Sequence, residues 1–160
     1  MPPMLRESYA GVARQTAPVP GKKAPAYTEF LEQGREFLTE VYGQTQAQHI
    51  EDALYTMSPR LGHYAVPLVY GGVYADTTAL SIREACVLMF MCNMAVDTPK
   101  QAIGHIDSSR RQGATKGDLL NVGIMVRSIA EMYNVKLTKW ELIMETVDTD
   151  VVNDRNPYEV

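Results

Sequence analysis

The chain has no long apolar run, no cysteine pair at redox or zinc spacing, and too little imbalance of charge to define a partner. Its longest uninterrupted apolar stretch falls far short of the roughly 20 residues that a membrane span needs. Residues 1–24 mix charge with proline and glycine and lack the apolar segment of a secretory signal, so none is expected. A net charge of −4 gives no general pull toward nucleic acid or an anionic membrane. There is no glycine-rich phosphate loop, no Gly-x-Ser-x-Gly and no Cys/His cluster, so neither a metal nor an organic cofactor is expected. Cys86 and Cys92 are the two cysteines. Six positions apart on one helix, at about 100° per residue, they face different ways and cannot bridge each other. Unpaired thiols in an apolar helix suit a reducing compartment, which predicts a cytoplasmic protein.

What remains is the material of one helical domain. Apolar residues make up 46% of the 160 and charged residues 21%, enough for a single sizeable core. Residues 1–25 read as a flexible arm, with five prolines (Pro2, Pro3, Pro18, Pro20, Pro25) and the basic pair Lys22-Lys23. Residues 26–147 form the folded domain, and 148–160 an acidic, polar tail without period. Strand signals are almost absent, so the predicted class is all-α.

Helix boundaries follow from caps. Thr28 is set to cap a first helix that ends at Tyr42, with Gly43 as its stop. A second runs from about Gln44 to Tyr55. Ser58-Pro59 opens a third, which Pro67 should kink and Gly71-Gly72 should end or bend. Ser81–Glu84 and Thr98–Gln101 both have capping-box form. Thr115 starts a helix through Leu119, Leu120, Ile124, Met125 and Ile129, and Thr138 starts the last, through Trp140, Leu142, Ile143 and Met144. Gly34, Gly104 and Gly123 sit inside helices at up to ~1 kcal/mol each, which predicts close helix contact or space for a ligand.

His105 is the best acid–base candidate. Ala102, Ile103 and Ile106 give its helix an apolar side, and an imidazole there can trade a proton near neutral pH or simply bond a backbone carbonyl. Glu84 either caps Ser81 or brings a carboxylate, its pKa raised by desolvation, to the same pocket. Arg83 can hold a substrate carboxylate or remain solvated. His63, Tyr64, Tyr70 and Tyr74 either pack as an ordinary amphipathic face or wall a flat, unsaturated ligand. Cys86 and Cys92 read as core residues, with Met89, Met91 and Met94 filling gaps.

Several segments, taken in order, resemble the carboxymuconolactone decarboxylase family within the alkylhydroperoxidase AhpD superfamily. They are Gly34 and Gly43, Tyr70-Gly71-Gly72-Val73-Tyr74, Leu80-Ser81-Ile82-Arg83-Glu84, and His105 followed by Gly113-Ala114-Thr115. The peroxidase branch has Cys-x-x-Cys-x-x-x-His, and those cysteine places fall on Thr98 and Gln101, so thiol peroxidase activity is not expected. The decarboxylase branch tends to carry glutamate where Gln101 stands. The resemblance implies a helical bundle that forms a homo-trimer or homo-hexamer. It also implies a lyase working without a cofactor on a small unsaturated or aromatic acid or lactone, such as a biosynthetic intermediate, by decarboxylation, isomerisation or dehydration. His105 and Glu84 would carry the proton chemistry, while Gln101, Arg83, Tyr70, Tyr74 and His63 would contact the substrate. The alternative is a ligand-binding or assembly protein that keeps the fold without catalysis.

Overall fold

A computed structural model describes residues 26–149, so the arm and nearly all of the tail lie outside the described residues. All regular structure among them is helical: α1 (Tyr27–Tyr42), α2 (Gln44–Met57), α3 (Pro59–Tyr64), a π-helix (Ala65–Tyr74), α4 (Ile82–Ala95), α5 (Pro99–Arg111), α6 (Lys116–Met132) and α7 (Trp140–Asp148). No helix of the described residues is long and apolar enough to cross a membrane. Helix α4 stands at the centre. Its Cys86 and Met89 pack with Phe37 and Val41 of α1, while its Phe90 and Met94 pack with Ile106, Leu119 and Ile143 of α5–α7.

Most termini form where the caps were expected. The Ser81 amide donates to Glu84 Oε2 at 2.8 Å, and the Thr115 amide donates to Asp118 Oδ2 at 2.8 Å. Gly43 takes φ 81°, a left-handed value that lets α2 follow α1 with no linker. Three starts differ. The first helix begins one residue before Thr28, and the Ala26 amide is held by the Glu29 carboxylate at 3.0 Å. Thr98 does not cap α5; its hydroxyl turns back to the Asn93 carbonyl at 2.9 Å, and Pro99 opens the helix. At the last helix Asp97, reaching from the α4–α5 turn, binds the Thr138 and Lys139 amides at 3.0 and 2.9 Å.

The expected kink at Pro67 is a ten-residue π-helix instead. Proline has no N–H to give the carbonyl four residues back, and its ring crowds that carbonyl. Widening the turn relieves the crowding, and the ladder closes with the Ala75 amide on the Tyr70 carbonyl, five residues back, at 2.9 Å. The carbonyl that Pro67 leaves unbonded belongs to His63, and the Tyr27 hydroxyl sits 3.1 Å from it.

This π-helix lies directly against α1 because two glycines permit it. A Cβ on Gly34 would stand 2.1 Å from the Val66 carbonyl oxygen, and one on Gly71 would stand 1.9 Å from that of Phe30. Backbone meets backbone in both directions, so neither side can swing clear. Replacing Gly71 by alanine should therefore cost ~3 kcal/mol or more in urea unfolding. Gly72→Ala, whose Cβ would make ordinary contact with Phe30 at 3.5 Å, should be neutral or stabilising by up to ~1 kcal/mol.

Candidate functional site

Three helices bring the site together. Tyr42 is the last residue of α1, Cys86 lies in the second turn of α4, and His105 and Ser108 are one turn apart on α5. The Tyr42 hydroxyl stands 3.3 Å from His105 Nδ1, and the two rings are tilted with centroids 6.1 Å apart. His105 is 9% exposed, and burial pushes its pKa down to about 4. The imidazole is therefore neutral at physiological pH, rather than poised near neutrality as the sequence suggested; desolvation penalises the cation. The Ser108 hydroxyl donates to the His105 carbonyl at 3.1 Å.

Cys86, fully buried, lies against the same helices. Burial lifts its thiol to about 11; a hydrogen bond with Ser108 offsets part of that rise, and the Glu40 carboxylate adds to it. That makes it a core group and a poor nucleophile. Phe37, Tyr70 and Tyr74 cover this region: Phe37 stacks on Tyr74 at 6.1 Å between centroids and tilts against Tyr70 at 6.3 Å. Tyr42 packs on the same cluster. Outside it runs an open groove of about 550 Å³ with Phe30, Phe37 and Ile82 as its apolar lining and Glu36, Glu40 and Asp76 at its polar edge. Phe37 and Ile82 belong both to the groove lining and to the cluster on which Tyr42 packs.

The other expected site residues are placed apart from this pair. The Glu84 carboxylate is bound to the Ser81 amide and hydroxyl, at 2.8 and 2.7 Å, and these bonds hold its pKa below the usual glutamate value. The Ser81 hydrogen bonds outweigh the opposing effect of desolvation, so the capping alternative describes Glu84 here. Arg83 is engaged in an ion pair with Asp118 on α6. Gln101 is exposed on α5, one turn before His105. Tyr70 and Tyr74 form the aromatic wall described above. His63 does not belong to it: exposed, it stacks on Tyr27 at 4.7 Å, with its Nδ1 2.6 Å from the Tyr27 hydroxyl. Among the described residues, no three His, Cys, Asp or Glu side chains converge as a metal site needs.

Tyr42 is the residue that the sequence reading missed. It continues the buried stripe of Gly34, Phe37, Leu38 and Val41, where a polar-tipped aromatic needs a partner. That stripe was the available signal. Comparisons with protein-family models, curated proteins and solved structures give no match.

Two outcomes follow. Cys86 should resist thiol reagents in the folded protein and react only on unfolding, as a quenched labelling time course will report. His105, with its folded pKa below the unfolded value of 6.5, leaves stability intact above that value. Stability then falls as pH drops toward about 4, because the unfolded chain binds the proton first. Between pH 7 and 4 the wild type should lose ~3 kcal/mol more than His105→Asn, measured by urea unfolding at each pH.

Proposed function

We propose that the protein is a decarboxylase-like enzyme of the carboxymuconolactone decarboxylase kind, doing proton-transfer chemistry without a cofactor on a small unsaturated or aromatic acid or lactone. The observation that carries this reading is the buried, uncharged His105 within 3.3 Å of the hydroxyl of Tyr42, which itself packs on the aromatic cluster of Phe37, Tyr70 and Tyr74. Decarboxylation breaks one C–C bond and leaves its electron pair on carbon, delocalised into a neighbouring carbonyl. The protein then has to supply one proton and a dry, polar cradle. With its own proton on Nδ1, His105 donates to the Tyr42 phenol oxygen and stabilises the phenolate formed when the phenol protonates carbon. Water restores that proton. Isomerisation or dehydration would use the same pair to take a proton at one atom and return it at another.

Tyr42 here takes the part first expected of Glu84, whose carboxylate is spent at Ser81. Gln101 and Arg83, at the outer ends of their helices, serve substrate approach in this reading, and Tyr70 and Tyr74 face the flat part of the ligand. The two thiols favour a cytoplasmic setting, and the resemblance favours a homo-trimer or homo-hexamer.

A second reading, a ligand-binding or assembly protein, is favoured by the structural employment of Glu84 and Arg83 and by a glutamine at position 101 that cannot ionise.

A panel of unsaturated acids and lactones, assayed for CO2 release and for binding, separates the two. Catalysis predicts turnover that drops ~100- to 10,000-fold in His105→Asn and in Tyr42→Phe, both still folded. The acid limb of kcat/KM should lie near the folded imidazole value of about 4 and not at 6.5. Binding without turnover, unchanged in both variants, would overturn the enzyme in favour of the binding protein.

A further inference from the structure

A mismatch between composition and burial lies along α6, on a face that includes neither Tyr42 nor His105. Helix α6 buries Leu119, Gly123, Val126 and Ala130 and turns Ile124, Met125 and Ile129 to solvent. The stripe Met125–Ile129–Tyr133, spaced one turn apart, continues through Met132, which is 80% exposed, and Tyr133, which is 76% exposed. Beside it, α4 presents Leu88 and, half-buried, Met91. Between the two helices is a shallow cavity of about 290 Å³ whose lining, Met91, Ala95, Val126, Ile129, Ala130, Tyr133 and Val135, contains no charged residue. Arg83, Glu84 and Asp118 lie past one end and Lys136 past the other, and on the flank of α6 next to Ala130 the exposed Arg127 and Glu131 neutralise each other in an ion pair.

We infer that this α4–α6 face is a two-fold interface with a second copy of the chain. The face is neutral and flanked by prominent Met132 and Tyr133 side chains, so an identical face brings both the knobs and the hollow that receives them. Each copy fills the other's cavity, which is the self-complementarity that a two-fold contact requires. Electrostatics favour the same choice. The chain carries −4 overall, and this neutral face lets two copies meet without opposing like charges. Methionine and isoleucine at the centre, with tyrosine at one end and charge at the rim, match the composition of a protein–protein interface. The size suffices as well. The 17 residues of α6 span ~25 Å, and two helices side by side cover ~20 Å, giving a footprint of ~500 Å² per copy and ~1,000 Å² in all. That reaches the lower bound for a specific interface.

The inference names a surface for the homo-oligomer proposed above and stands whether or not the protein turns over a substrate. A hexamer can contain this two-fold contact; a closed trimer cannot. Sedimentation equilibrium on the full chain tests it. The wild type should contain an even number of copies, and Ile129→Glu should halve that number with an unchanged helical circular dichroism spectrum. Thr28→Glu, exposed on α1, should leave the mass alone. Ile129 sits mid-stripe, close to the axis, so Ile129→Cys in a Cys92→Ser background should oxidise to a dimer cross-linked through residue 129. A single-chain mass, an odd-numbered assembly, an assembly indifferent to Ile129→Glu, or an even one that fails to cross-link would each overturn the placement.

Discussion

Backbone contact between α1 and the π-helix is the constraint on which the rest of this fold depends. At Gly34 and Gly71 the two backbone segments approach too closely for any side chain. The contact fixes the rotation of α1, and with it the faces on which Phe37 and Tyr42 emerge. Phe37 thereby meets Tyr70 and Tyr74, and Tyr42 meets His105. The π-helix is itself a consequence of Pro67. An α-helix through that residue would carry a clash and an unbonded carbonyl; the wider turn removes the clash, and Tyr27 takes the carbonyl. His63 therefore has its partner in Tyr27 and stands apart from the Tyr42–His105 pair.

The same economy of polar groups underlies the proposed chemistry. Burial keeps His105 neutral, so its partner must be neutral too, and a phenol meets that need where a carboxylate would have drawn the imidazole toward its cation. The acid and base side chains of α4 are elsewhere employed: Glu84 closes the helix start, and Arg83 ties α4 to α6 through Asp118. Their positions stabilise the bundle that holds the pair. A site of this kind would work through two uncharged groups in a dry cluster, which suits chemistry whose charge appears mainly in the transition state.

Much of the fold was legible in the sequence because caps are local. Ser81–Glu84, Thr115–Asp118 and Gly43 act within a turn of themselves, and their helices start or stop as read. The misread features include one local competition, in which the Thr98 hydroxyl turns to the Asn93 carbonyl five residues back, but the others are long-range. Thr138 loses its expected role to Asp97, 41 residues away. Tyr42 and His105 are 63 residues apart, and no periodicity joins them. Helix α6 shows a further limit. Its pattern marks Ile124, Met125 and Ile129 as apolar without saying whether the chain's own core or another copy covers them. The all-α class needed only the period; the site needed the crossing of α1, α4 and α5.

The central claim is that His105 rests uncharged in hydrogen-bond contact with Tyr42. Nitrogen-detected NMR of the imidazole, followed across pH in wild type and Tyr42→Phe, tests it most directly. The account predicts a neutral ring signature that persists from neutral pH down to the vicinity of 4, with Nδ1 shifting when the phenol is removed. A ring that titrates near 6.5 and ignores the Tyr42 substitution would contradict it.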